Sequence, residues 1–270
     1  MQIIGMNNCK EMLTRMSNMP HLLIISAPRG AGKSLFIKRI ATEKKLRLQY
    51  IGNKIDNIRE LIQDSVALEE PTLFAISEGD TMSLGAKNAL LKITEEPPKN
   101  CYIAMEITDI NSVLETIISR GTIFEIDRYS YQDLKKYAIE VLAMSDNEDT
   151  SNICQIATTP GDINLYLEVG YKDCYNFAEM VFNNIMRVTT GNAFKIKNRI
   201  NFTGKGEGFP VDMFFNMMLF ICRKHIDDPK ALYIIECTIK ALHMSRVNGA
   251  NMAFDIWVLD CRLRRGEYYA

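Results

Sequence analysis

The sequence predicts an α/β domain built on a parallel sheet, followed by helical domains. Three observations predict it. Short apolar runs alternate with amphipathic stretches over the first half of the chain; one such run, Leu22-Leu23-Ile24-Ile25, leads into a glycine-containing turn ending in Lys33-Ser34; and from Tyr131 onward the apolar spacing is mainly helical. With 270 residues, 47% hydrophobic and 24% charged, the chain has material for one large domain or two to three small ones, each with a proper core.

Taken in order, Asn8–Met16 reads as a helix and Leu22–Ile25 as a strand, and Leu35-Phe36-Ile37-Lys38-Arg39-Ile40 continues an amphipathic helix. Leu46–Ile51 is a short strand, and Asp56 acts as an acidic cap for the helix that runs through Ile62. Thr72–Ile76 is apolar enough to be a buried strand. Gly85–Glu95 is helical until Pro97-Pro98 stops it. Cys101–Ile107 is a strand, Ser112–Ile118 a short helix and Thr122–Ile126 the last strand. Strands alternating with helices give a parallel sheet. Beyond Tyr131, breaks are expected at Pro160-Gly161, at Gly170 and over Thr203–Pro210. The division that follows is residues 1–127 as an α/β core, 128–172 as a small helical domain and 173–270 as a second helical domain.

Ala27-Pro28-Arg29-Gly30-Ala31-Gly32-Lys33-Ser34 carries the chemistry. A strand, a glycine-containing loop, Lys-Ser and a helix form the context that a phosphate-binding P-loop requires. Gly30 and Gly32 let backbone N–H groups crowd around phosphate oxygens, and the helix that follows points its positive end at the same anion. Lys33 then reaches the β- and γ-phosphates, and the Ser34 hydroxyl ligates magnesium. Ala27 stands at the first motif position, where glycine is commoner.

The formal net charge of −1 advertises no global basic field, so any DNA contact rests on a local patch or an assembly. No apolar run approaches membrane-spanning length and the first residues lack a signal pattern, so a cytoplasmic protein without membrane partners is expected. The seven cysteines, odd in number and without paired spacing, read as reduced core thiols.

Further residues carry a family resemblance. The stretch from Ser83 to Pro98, with Asn88-Ala89-Leu90-Leu91-Lys92 and Glu95-Glu96-Pro97-Pro98, resembles the signature of the clamp-loader AAA+ ATPases, in particular their bacterial DNA polymerase III delta-prime and gamma/tau members. Ile58-Arg59-Glu60-Leu61 is similar to the segment between P-loop and Walker B. Thr116-Ile117-Ile118-Ser119-Arg120 resembles the serine-arginine-cysteine motif, with Gly121 in place of the cysteine, and Asn248–Asp255 resembles the opening of a collar helix. The resemblance implies an AAA+ core, a helical lid and a C-terminal helical collar that holds a pentameric ring. It also implies ATP and Mg2+ as ligands, with other clamp-loader subunits, a sliding clamp and primer-template DNA as partners. The nucleotide-contact set it suggests is Ile4, Gly5, Arg29, Gly30, Ala31, Gly32, Lys33, Ser34 and Leu35, with Ile3, Ile4 and Gly5 near the base.

Departures from the family pattern matter as much. The strand Thr72–Ile76 is followed by Ser77-Glu78-Gly79-Asp80: Glu78 holds the water-activating position, but Ser77 stands where a metal-orienting aspartate belongs, and a hydroxyl lacks its charge. Asp80, two residues further on, is a possible replacement ligand. Asn164 replaces the lid arginine of Gly161-Asp162-Ile163-Asn164. Thr108, at the end of its strand, either positions water or caps the following turn. Arg120 either is a surface arginine or reaches a neighbouring subunit's γ-phosphate as an arginine finger. Lys87, Lys92 and Lys99 either face DNA phosphates or form a solvated helix face. Lys195, Lys197, Arg199 and Lys205 are a second basic group, and Phe214–Phe220 is a buried collar helix or a subunit interface. The expected function is a clamp-loader subunit that binds nucleotide, with its own hydrolysis impaired. Two alternatives stand beside it, a fully active gamma-type motor and a structural adaptor with a vestigial P-loop.

Overall fold

The computed structural model describes residues 4–187, 190–202 and 208–263. The chain separates into two compact units: Met1–Asp146 with Ala157–Asp162, and Asn147–Ile156 with Ile163–Ala270. The stretch 128–172, expected as a lid, contributes to both.

The first unit runs α1 (Asn7–Arg15), β1 (Leu22–Ser26), α2 (Lys33–Glu43), β2 (Arg47–Ile51), α3 (Ile55–Asp64), β3 (Thr72–Ile76), α4 (Leu84–Glu95), β4 (Cys101–Ile107), α5 (Glu115–Ile118), β5 (Thr122–Glu125) and α6 (Tyr131–Lys136). The five strands form one parallel sheet in the order β2-β3-β4-β1-β5. Because each strand in such a sheet is covered on both faces, the strands read as continuous apolar runs. Leu23, Ile25, Leu73, Ala75 and Ala104 pack with Phe36, Ile37 and Ile40 of α2 on one face. Ile24, Phe74, Ile76, Ile103 and Met105 pack with Ile58, Leu61 and Leu90 of α3 and α4 on the other.

Three local expectations need correction. The acidic cap at Asp56 is a first-turn aspartate; the N-cap is Lys54, which makes no side-chain cap bond. The helix expected over Ser112–Ile118 divides into a 3-10 turn, Ile110–Ser112, and the short α5. Pro160-Gly161 does not interrupt a helix but begins one, since proline at a first helical position leaves no intrahelical bond unmade.

The second unit contains α7 (Glu148–Ile156), most of α8 (Pro160–Val169), α9 (Tyr171–Asn184), α10 (Thr190–Lys197), a two-residue parallel pair β6 (Ile200–Asn201) and β7 (Phe209–Pro210), α11 (Val211–Lys224), α12 (Pro229–Asn248) and α13 (Ala250–Leu263). The apolar α11 forms its core: Phe214 and Phe215 meet Trp257 of α13 edge-on, at centroid distances of 5.5 and 5.6 Å. The Trp257 indole N–H donates to Thr238 Oγ1 at 3.0 Å, which satisfies the polar edge of a buried ring. The Phe214–Phe220 segment is thus core of this unit, and β6 and β7 were not foreseen. Gly170 lies between α8 and α9 as expected, with φ 95°. All seven cysteines are free and buried.

Candidate nucleotide-binding site

All five strands point the same way, so their C-terminal ends share one edge of the sheet. In open α/β sheets this is the edge where ligands bind. It gathers the loop after β1 (Ala27–Gly32), Ser77 and Glu78 after β3, and Thr108 after β4. Gly30 and Gly32 have φ of 77° and 87°, the left-handed region that side chains other than glycine rarely adopt, and this turns the loop onto the N-terminus of α2. Lys33 opens α2, and Ser34, next to it, is exposed. The Lys33 ammonium donates to the carbonyls of Ala27 at 2.6 Å and Pro28 at 3.0 Å. Burial pulls its pKa below that of an ordinary lysine, and the attraction of Glu106 leads the opposing effects.

The loop is held by contacts the sequence did not advertise. The Tyr129 hydroxyl donates to the Ala31 carbonyl at 2.8 Å, and burial pushes that phenol up to about 12. Ile4 is buried, and Met6 Cε lies 2.7 Å from where a Cβ on Gly32 would stand. This places the Ile4-Gly5 segment beside the loop's end; Ile3 lies outside the described residues. Leu35 is half-buried on α2. On the other side, the Gly161 N–H donates to the Gly30 carbonyl at 3.0 Å. Asp162 shapes that approach: its Oδ2 accepts from the backbone N–H groups of Thr158 and Thr159 at 2.8 and 2.9 Å.

Arg29 projects from the loop and pairs with Glu78 at 2.8 Å, with both side chains largely exposed. Such a pair contributes little stability, on the order of 0–1 kcal/mol. In the structure it turns the Glu78 carboxylate toward Arg29. Glu78 itself sits at φ 52°, a conformation uncommon for a residue with a side chain. Asp80 is occupied otherwise: its Oδ2 accepts from the backbone N–H of Thr108 at 3.0 Å and of Asp109 at 3.4 Å, tying the turn after β3 to the end of β4. Thr108 is exposed and lines a cleft of about 460 Å3 with Ser26, Ala27 and Pro28.

Glu106 is the residue sequence reading missed. It lies in β4, is 7% exposed, and its Oε1 is fully buried without a hydrogen-bond partner. Buried carboxylates are ordinarily paired or bound to metal, so an orphaned one on the strand beside the β1 loop calls for an explanation. A charged residue inside the otherwise apolar Cys101–Ile107 run was the available signal. The exposed Ser34 hydroxyl and this buried carboxylate fit a divalent cation that arrives with a nucleotide, because Mg2+ is usually held by one or two carboxylates and by phosphate oxygens rather than by an all-protein cage. Among the described residues no group of three or more His, Cys, Asp or Glu is placed to hold a metal by itself.

Arg120 follows α5 and precedes β5, at the N-terminal end of the sheet. Its guanidinium donates to Glu95 Oε1 at 3.0 Å and to the Thr116 carbonyl at 2.7 Å. Gly121 leaves the β1 side chains room: a Cβ there would stand 2.8 Å from Ile24 Cδ1. Among the lysines singled out for DNA, Lys87 turns inward and donates to the carbonyls of Ser112 and Asp80, at 2.6 and 3.3 Å. Lys92 and Lys99 are exposed. In the second basic group, Lys197 pairs with Asp255 at 2.7 Å and Arg199 lies over the Phe177 ring at 4.9 Å. Lys205 lies outside the described residues.

Comparison with known proteins finds clamp-loader relatives. Residues 6–130 match the family described as DNA polymerase III, delta subunit. Over 214 residues the chain is 24% identical to DNA polymerase III subunit gamma of Buchnera aphidicola subsp. Schizaphis graminum, covering 66% of this chain and 57% of that protein. Over 149 residues it is 25% identical to the sliding-clamp-loader large subunit of Escherichia phage RB69, covering 51% of this chain and 47% of that protein. The family match and these relatives support a likeness to the clamp-loader AAA+ family. The chain spans about half the length of the two relatives named. The AAA+ fold is also that of the Thermotoga maritima RuvB Holliday junction branch migration motor, with a TM-score of 0.54 at 17% identity over 93% of this chain and 87% of that one. Among the described residues no helix is long and apolar enough to cross a membrane.

Proposed function

We propose that this chain is a clamp-loader subunit of the delta-prime type, which binds ATP with Mg2+ and serves a neighbouring subunit's hydrolysis more than its own. The observation that carries this reading is topological. The P-loop lies at the C-terminal edge of the parallel sheet, whereas Arg120 lies two residues before β5, at the opposite edge. Five residues of strand separate those edges, roughly 17 Å at about 3.3 Å per residue. Arg120 therefore does not reach its own phosphates, and a finger role for it is necessarily in trans.

In its own site, the loop's N–H groups and the α2 N-terminus bind phosphate, and Lys33 leaves the Ala27 and Pro28 carbonyls to contact it. Bound Mg2+ neutralises charge that develops on the phosphates. Three features weaken turnover here: Ser77 lacks the aspartate's charge, Asn164 lacks the lid arginine's charge, and the Glu78 carboxylate is engaged with Arg29. Within a cytoplasmic ring of clamp-loader subunits, this chain then helps place a sliding clamp on primer-template DNA. Lys92 remains as a DNA-phosphate contact, and the three-part division into core, lid and collar belongs to the same proposal.

The test compares wild type with Lys33→Ala and Arg120→Ala. Lys33→Ala should abolish most ATP binding by the isolated chain. Arg120→Ala should leave that affinity intact and lower ATP turnover only when the full ring is assembled with clamp and DNA. Equal ATP affinity of wild type and Lys33→Ala refutes the site, and equal ring turnover for Arg120→Ala refutes the finger.

A further inference from the structure

We propose that Glu106 supplies, from the neighbouring strand β4, the metal-directed carboxylate that Ser77 fails to supply from β3. This rests on the reading of the P-loop as a Mg2+–nucleotide site and adds to it a ligand residue of this chain.

Both residues lie where the ladder of β3 and β4 ends. Ala75 is opposite Ala104 and Ile76 opposite Met105; Ser77 is the first residue after β3, and Glu106 is the next residue of β4. Successive residues of a strand point to opposite faces. Ala104 packs on the α2 side of the sheet and Met105 on the other, so Glu106 falls on the α2 side, the side of the P-loop helix. β4 is also the strand next to β1, with Glu106 opposite Ile25, two residues before the P-loop begins. Moving the carboxylate from β3 to β4 brings it one strand spacing, about 4.8 Å, nearer the loop's own strand. The extra methylene of glutamate adds reach.

Burial and charge point the same way. The Glu106 Oε1 atom is buried without a partner among the described residues, although an unsatisfied buried carboxylate oxygen costs more than 1 kcal/mol, on the order of the desolvation of a charged group. Lys33 is the basic residue of the loop that feels this carboxylate most strongly among its acidic neighbours. It does not cancel it, because its hydrogen bonds go to Ala27 and Pro28. Asp80, the other carboxylate near the end of β3, is spent on the Thr108 and Asp109 backbone. Glu106 is thus the buried carboxylate that remains available to a cation lying between Ser34 and the phosphates.

The experiment measures binding rather than turnover. A fluorescent ADP or a non-hydrolysable ATP analogue is titrated into the isolated chain with Mg2+ and again with EDTA, and the ratio of the two affinities is the Mg2+ enhancement. Glu106→Gln, nearly isosteric, should cut that enhancement by about tenfold, roughly the loss of one charged ligand. Its affinity in EDTA should be equal to or tighter than wild type, because a negative charge near the phosphates has gone. Ser77→Asp in the Glu106→Gln background should restore the enhancement by returning the charge to β3. Ser77→Asp alone, at an exposed position that the fold tolerates, should change the enhancement less than about twofold, because the charge is already present. A full enhancement in Glu106→Gln, a parallel loss of affinity in EDTA, or a large gain from Ser77→Asp alone each overturns the assignment. Absence of nucleotide binding by wild type in both buffers would overturn the site itself, whereas normal binding with an unshifted enhancement overturns only the role of Glu106.

Discussion

Gly161→Ala should injure the P-loop from a distance in sequence of more than a hundred residues. A Cβ on Gly161 would stand 2.4 Å from Gly30 Cα and 3.1 Å from the Gly30 carbonyl oxygen. Carbon atoms in contact prefer about 3.5 Å, so one backbone must retreat by about 1 Å. The atoms in the way are backbone, so no side-chain rotation relieves the clash. Overpacking of this kind costs about 1–3 kcal/mol, and loss of the 3.0 Å hydrogen bond from Gly161 to Gly30 adds about 0.5–1.5 kcal/mol. If the fold absorbs the strain, the melting temperature should fall by roughly 5–10 °C for a unit of this size. If the Gly161 turn instead swings off the loop, the cost appears when nucleotide draws the loop back, and affinity should drop about tenfold or more. Gly191→Ala is the control: nothing lies within 4 Å of its Cβ position, and it should be neutral or slightly stabilising in a helix. Scanning calorimetry and nucleotide titration on both variants decide the matter. A Gly161→Ala protein that melts and binds like wild type would refute the reasoning.

Trp257→Ala removes a ring buried against Phe214, Phe215 and Phe254 and the indole donor to Thr238, whose hydroxyl keeps its bond to the Ile234 carbonyl, so it should destabilise the second unit by about 3–5 kcal/mol in denaturant unfolding, with no direct effect on nucleotide affinity. Glu95→Gln breaks the exposed pair with Arg120 and should change stability by less than about 1 kcal/mol, a shift that a urea titration resolves. With Arg120→Ala, ATP turnover of the assembled ring should fall by up to about 10³-fold if the neighbouring site limits the rate, and Arg120→Lys should rescue poorly because an ammonium lacks the planar fork. At neutral pH the native chain should react only slowly with a thiol reagent, and unfolding should release all seven thiols: burial pushes Cys9 and Cys101 up to about 11 and Cys174 and Cys222 to about 12, leaving them protonated. Cys237 is the exception. Its hydrogen bond from Cys261 pulls it down to about 7, so mass spectrometry of partly modified native protein should find it labelled ahead of the other six, an advantage lost on unfolding.

The sheet of the first unit was legible because its physics is local. Leu22–Ser26 and Thr72–Ile76 are apolar over their whole length, as strands covered on both faces must be, and Pro97-Pro98 ends α4 as proline dictates. The strand–loop–helix turn was legible because Gly30 and Gly32 answer its demand for left-handed backbone, with φ of 77° and 87°, and Lys33 opens the helix that follows. Side-chain destinations were not legible. Lys87 sits on a helix surface by spacing, yet its ammonium is drawn to two carbonyls left over at turns. Asp80 could equally hold a cation or two backbone N–H groups, and only the approach of the β4 terminus decides for the latter. Phe214–Phe220, apolar nearly all round, fits a core or an interface until Phe254 and Trp257 are seen covering it. Across strands, information is lost altogether, because the register that sets Ile76 beside Met105, and so the end of β3 beside the Glu106 strand, is written nowhere in either segment alone.

That register changes how the departures from the family pattern combine. Taken singly, Ser77 removes a carboxylate from the metal, and Glu106 buries one without a partner; each change by itself is unfavourable. On the proposal above they are one displacement of the same charge across one strand spacing, which would keep a carboxylate near the P-loop. What the displacement does not restore is the alignment of water. Glu78 points at Arg29 rather than into an open site, and no arginine stands at Asn164. The proposed function therefore makes binding and hydrolysis separable in this chain: Lys33→Ala and Glu106→Gln should act on nucleotide and Mg2+ affinity, whereas Arg120→Ala should act only on turnover in the assembled ring.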